Sequence, residues 1–218
     1  MLVSQYISKD FVPAKVNQTV GYGLDLVERW EISHLPLFRG LEFVGNLATE
    51  VLKNYDSETL FSEMEEEWEF FYINEKNSIL DAIRLFNQYS ANILVVLDEE
   101  HRFVGFLTIE DLIAALATMP FILESGSVVI IETLQKQFSV SEIAKIAESN
   151  NAKITGMFIS EYKEDKIQVT LKVVADDLIS LVETFERFNY NVLHKFFQDK
   201  NDDLIKDRFD LLMKYLDV

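Results

Sequence analysis

Cysteine is absent from all 218 residues, which removes disulfides, thiolate metal sites and cysteine nucleophiles together. That absence suits a reducing compartment, and a cytoplasmic setting is expected. Proline occurs three times and glycine seven times, too few for a fibrous repeat or a low-complexity disordered chain. Basic side chains are scarce: 20 Lys and Arg against 37 Asp and Glu leave a formal net charge of −17. Binding nucleic acid requires Lys and Arg to neutralise phosphates, so no nucleic-acid partner is expected. An anionic membrane surface is disfavoured for the same reason. A small nucleotide stays open as a ligand, because a local ring of N–H groups can outweigh a distant field that salt screens within about 8 Å. Long apolar runs are missing too. Val128–Ile131 falls far below the roughly 20 residues that span a bilayer. Met1–Asp10 lacks the basic start and apolar stretch of a secretory signal, so a soluble protein is expected.

What remains is a chain with 49% apolar residues, enough for a core in each of two domains. Its first half repeats itself. Thr19-Val20, Gly23-Leu24, His34-Leu35-Pro36-Leu37 and Phe43-Val44-Gly45 are followed by Ser78-Ile79, Ala82-Ile83, Asn92-Ile93-Leu94-Val95 and Phe103-Val104-Gly105. Thr19 and Ser78 stand where a helix N-cap belongs, ahead of apolar-periodic runs. Ile79, Ala82, Ile83, Leu85 and Phe86 form a helical stripe, and Ile93–Leu97 is a buried strand. Asp98–His101 makes a polar turn, Arg102–Leu107 a returning strand, and Thr108 to about Leu116 a helix. A short strand such as Phe70–Ile73 precedes the unit. Between the repeats, Leu60, Met64 and Trp68 recur every four residues, which predicts a helix over Asp56–Glu69 with a solvated acidic face. Its glutamates have no fixed ligand spacing, so no metal site is expected there. His34, His101 and His194 lie far apart, and no P-loop, dinucleotide fingerprint or nucleophile elbow occurs, so no catalytic group is assigned.

The duplicated order resembles the CBS domain pair, over about Met1–Thr118. The resemblance is carried by the Thr/Ser-led helix starts, Leu35-Pro36-Leu37, and Gly105-Phe106-Leu107-Thr108-Ile109-Glu110-Asp111. It implies a domain pair over 1–120, with repeat one at about 1–55 and repeat two at about 70–118, and clefts for AMP, ADP, ATP or another adenosyl compound. It further implies Thr108 against phosphate or ribose, Asp111 on the ribose hydroxyls, and Ile32, Ser33 and His34 against the adenine. Phe106 would line the same cleft and Asn92 would sit near the phosphates. On physical grounds one carboxylate can accept from two vicinal hydroxyls, and a helix N-terminus offers unpaired N–H groups. Thr-x-x-Asp ahead of an apolar run is equally a capping box that needs no ligand. Repeat one has Ala48 and Val51 at the matching positions, and a valine cannot hold a diol, so one competent cleft per chain is expected.

In the second half, Pro120 is expected to end the preceding helix. Val128–Glu132 is a strand, Ser139-Val140-Ser141-Glu142 a capping box, and Ile154–Glu161 with Lys166–Val173 a strand pair. A helix over Asp177–Phe188 and a strand over Asn191–Phe197 complete the order βαββαβ. This resembles an ACT domain over 126–198, although the first strand-to-helix loop, Thr133–Phe138, has no glycine. A plain ferredoxin-like domain is the other reading. Over 201–217, Ile205, Phe209, Leu212 and Leu216 share one helical face, which predicts an amphipathic helix packed on its own ACT-like sheet or across an interface. The resemblance to CBS and ACT domains, which commonly pair, implies a homodimer. The class is therefore α/β (α+β), and the domain order resembles acetoin-utilisation regulators. The expected function is a non-catalytic regulatory sensor that binds an adenosine nucleotide or adenosyl ligand and signals by conformational change, reported by the ACT-like domain or a protein target. The alternative is a ligand-free homo-oligomeric scaffold with decayed clefts.

Overall fold

In the computed structural model, which describes residues 1–196, one pattern occurs twice within the unit Met1–Thr118. The first copy runs β1 (Ala14–Lys15), α1 (Val20–Trp30), β2 (His34–Arg39), β3 (Glu42–Ala48) and α2 (Thr49–Leu52). The second runs β4 (Ile73–Asn74), α3 (Ile79–Tyr89), β5 (Ile93–Leu97), β6 (Phe103–Thr108) and α4 (Ile109–Ala117). Each copy makes a three-stranded sheet in which the short strand pairs in parallel and the hairpin antiparallel.

Local chemistry explains these boundaries. The Thr19 hydroxyl accepts from the Tyr22 N–H and opens α1. Ser78 and Asp81 form a capping box at α3. Both helices end on a residue in the left-handed region, Glu31 at φ 51° and Ser90 at φ 50°, which turns the chain sharply into the next strand. All five residues of β5 are buried, as a continuous apolar strand requires. Leu35, Leu37 and Phe61 share a core with Ile93, Val95 and Phe106, so the two repeats bury one another's apolar faces.

The stretch 56–69 is not the helix that its four-residue period predicts. It runs as two 3-10 turns, Phe61–Glu63 and Glu65–Glu67, among extended residues. Tertiary pairing stretches it: Leu60 bridges Thr19, Ser62 N–H donates to the Val16 carbonyl, and Glu69 bridges Asn46. Its buried ring is Phe61, outside the predicted stripe, and that ring fills the space above Gly23. A second glycine has a comparable reason. A Cβ on Gly105 would lie 2.3 Å from the Ile7 side chain and 2.7 Å from the Ser8 carbonyl, because the N-terminal segment crosses β6 there.

The second unit begins at Met119. Pro120 opens a one-turn helix, α5 (Pro120–Leu123), at the N1 position where its missing N–H costs nothing. Then follow β7 (Ser127–Leu134), α6 (Val140–Ser149), β8 (Lys153–Lys163), β9 (Lys166–Val174), α7 (Leu178–Arg187) and β10 (Asn191–Phe196). The antiparallel sheet has the order β10-β7-β9-β8, a ferredoxin-like topology. Strand β9 shows why one face is covered: Ile167, Val169, Leu171 and Val173 are buried, with the residues between them more exposed. They pack with Ile143 and Ile146 of α6 and Leu181 and Phe185 of α7. Side-chain caps from Ser139 and Asp177 start the two helices. The class is mixed α/β. Residues 197 and 198 of the expected second domain, and the expected helix over 201–217, lie outside the described residues. Among the described residues, no helix is long and apolar enough to cross a membrane.

Candidate functional site

A reciprocal clasp joins the two repeats of the first unit. The Ser33 N–H donates to Asn92 Oδ1 at 2.8 Å, and the Asn92 N–H donates to Ser33 Oγ at 2.9 Å. The two residues occupy matching places, for the Ser33 carbonyl accepts from Thr49 N–H and the Asn92 carbonyl from Ile109 N–H. Asn92 Nδ2 also donates to the Glu31 carbonyl at 2.7 Å. Two cavities flank this clasp, and Glu31, Ile32 and Asn92 border both.

The first cavity, about 420 Å³, is lined by Thr108, Glu110 and Asp111 of the second repeat and by Trp30, Glu31 and Ile32 of the first. Ser8, Asp10 and Phe11 of the N-terminal segment complete it with Asn92. Thr108 and Asp111 form a capping box at α4. The Thr108 hydroxyl donates to Asp111 Oδ2 at 2.7 Å, the Thr108 N–H donates to the same oxygen at 3.2 Å, and the Asp111 N–H donates back to Thr108 Oγ1 at 3.1 Å. The pair is thus a helix cap and part of a cavity wall at once. Phe11 and Trp30 meet at 5.0 Å between ring centres, tilted, on the same cavity.

The second cavity, about 470 Å³, lies on the other side of the clasp. Ser33, His34, Ala48, Thr49, Glu50, Lys53, Glu69, Tyr89 and Ser90 line it. His34 is only 5% exposed, its Nδ1 is 2.9 Å from Ser33 Oγ, and its ring stands edge-on to Phe71. Burial lowers the imidazole pKa below its ordinary value, and the Glu69 carboxylate, 3.6 Å from Nε2, acts in the opposite direction. Tyr89 stacks on Phe71 at 4.0 Å, the counterpart of the Trp30 and Phe11 pair.

The structure divides the residues singled out from the sequence. Thr108, Asp111, Ile32 and Asn92 meet on the first cavity, whereas Ser33 and His34 line only the second. Ile32, Ser33 and His34 therefore share the second cavity, and of the three only Ile32 also reaches the first. Asn92 borders the cavity, but both polar atoms of its amide are engaged in the clasp. Phe106 does not line the cleft. It is 1% exposed because Ser8 exchanges two backbone hydrogen bonds with it and lays the Phe11 ring across it at 5.7 Å. Phe11 therefore supplies the aromatic surface expected of Phe106. Sequence reasoning missed Ser8, Asp10, Phe11, Trp30, Glu31 and Glu110. The one signal for Trp30 was an aromatic at the same repeat position in repeat two, Tyr89; nothing local marked the N-terminal segment.

Residues 64–118 match the CBS domain family, and a CBS domain is present there. No curated protein matches the chain. Among solved structures, the chain is similar to a CBS domain pair/ACT domain protein from Thermotoga maritima. The identity is 24% over 53% of this chain and 96% of that one, with a TM-score of 0.48. It is also similar to CBSX2 in complex with AMP, at 18% identity over 53% of this chain and 95% of that one, TM-score 0.43. The cytosolic domain of the Mg2+ channel MgtE in complex with ATP aligns at 23% identity over 50% of this chain and 46% of that one, TM-score 0.43. In that last case the alignment spans about half of the solved chain.

Proposed function

We propose that this protein is a non-catalytic sensor that holds an adenosine nucleotide or other adenosyl ligand in the Thr108/Asp111 cavity. The observation that carries this reading is the makeup of the cavity wall: Asp111, at a helix start of the second repeat, shares it with Trp30 and Ile32 of the first repeat and with Phe11 of the N-terminal segment. Its size lies within the roughly 300–1,000 Å³ of small-molecule sites. Asp111 can accept hydrogen bonds from a ribose diol, and Ile32, Phe11 and Trp30 offer flat apolar surface to a base. The resemblance of both repeats to CBS units, and the family match over the second, support the same ligand class.

Because both repeats contribute to the wall, a ligand would couple them. It can shift their arrangement only by its differential affinity for two states, typically about 1–3 kcal/mol. The second unit, read as ACT-like, or a protein target would report the shift, in a domain order of the acetoin-utilisation regulator type. Calorimetric titration with adenosine derivatives is expected to give about one site per chain, since Ala48 and Val51 replace Thr108 and Asp111 in repeat one. Two equivalent sites, or none, would refute that assignment. A homodimer belongs to the same proposal: light scattering at micromolar concentration should return twice the chain mass of 25.3 kDa, and a single-chain mass would remove that part.

A further inference from the structure

We infer that the Thr108/Asp111 cavity selects adenosyl compounds whose 5′ group is neutral or cationic, such as an ammonium or sulfonium, over those bearing a 5′-phosphate. This rests on the adenosyl reading above and specifies its ligand. Four carboxylates line the cavity, Asp10, Glu31, Glu110 and Asp111, and no Lys or Arg lines it. A phosphate in a cavity of this size lies within the screening length of about 8 Å from several of them, so salt does not remove the repulsion.

The usual refuge of a phosphate, the first turn of a helix, is largely engaged here, beginning with the Ile109 N–H, which donates to the Asn92 carbonyl. At α4 the Thr108 N–H and hydroxyl both donate to Asp111 Oδ2, and the Asp111 N–H is taken by Thr108 Oγ1. Two acids, Glu110 and Asp111, already answer the helix dipole in that turn. The remaining wall suits a cation. The rings of Phe11 and Trp30 both line the cavity, and aromatic rings attract ammonium and sulfonium groups. The acids are spread around the wall and are not gathered on one point. Among the described residues, no group of three or more His, Asp or Glu side chains is placed to hold a metal ion, so the cation they fit is organic.

The test is a calorimetric titration of the full chain with three compounds that differ only at the 5′ position: 5′-amino-5′-deoxyadenosine, adenosine and AMP. The expected order of affinity is amine, then adenosine, then AMP, with about tenfold or more between the first and last at low salt, narrowing as salt is raised. The Glu110 side chain is exposed, so Glu110→Lys should weaken the amine and strengthen AMP, and Glu110→Gln should move both in the same directions by less. Melting curves confirm that each variant folds. If adenosine binds while AMP binds as tightly as the amine, the charge inference falls and the adenosyl reading stands. If the amine is preferred but neither Glu110 variant changes the ratio, the preference arises elsewhere and the inference is overturned. Should none of the three bind at millimolar concentration, the adenosyl reading falls and this inference with it.

Discussion

An adenosyl ligand at 100 times its dissociation constant should stabilise the wild-type protein by about 2.7 kcal/mol, and Asp111→Ala should erase that gain. Asp111 carries two roles whose losses differ in kind. As the N3 member of the capping box it holds the Thr108 N–H and hydroxyl, and losing a cap costs about 0.5–2 kcal/mol without ligand. As a cavity wall it would accept the ribose hydroxyls, and that loss is seen only when ligand is present. Thermal melts with and without adenosine, AMP, ADP and ATP separate the two. The expected pattern is a modest drop in the ligand-free melting temperature together with no further response to ligand. A variant that melts earlier but keeps the full ligand-induced rise would make Asp111 a cap and nothing else. Wild-type melts unmoved by all four compounds at millimolar concentration would refute the proposed function itself.

Phe61→Ala is expected to cost about 3–5 kcal/mol, the largest effect of any single truncation proposed for this chain. Phe61 is fully buried, and its ring occupies the space that a side chain at position 23 would need. The surrounding strands and α1 are fixed by their own hydrogen bonds and can collapse only partly into the void. Urea unfolding followed by tryptophan fluorescence reads the relevant unit, because both tryptophans, Trp30 and Trp68, lie within Met1–Thr118. A loss below about 1 kcal/mol would show that the segment 56–69 does not seat this ring in solution as it does in the structure.

The features legible in advance are those decided within three or four residues. Thr19, Ser78, Thr108 and Ser139 were recognisable as caps because the hydroxyl and the N–H it serves are neighbours in the chain. The strand expected over Lys166–Val173 is present as β9, Lys166–Val174. The pattern of 56–69 misled because local periodicity there competes with pairing partners some 20 to 40 residues away, at Thr19 and Asn46, and the pairing prevails.

The sequence by itself determined the mixed α/β class, the internal repeat, the absence of thiol chemistry and the capping pair Thr108 and Asp111, since each follows from composition or from short spacing. Only the tertiary structure decided which residues share a wall. It set Ser33 against Asn92 across 59 positions, moved Ser33 and His34 to a cavity away from Thr108, buried Phe106, and brought Asp10 and Phe11 beside Asp111. Strand pairing makes those choices: the register of Ser8 on Phe106 and of β5 on β6 fixes which side chains face one opening, and register depends on contacts that no local window contains.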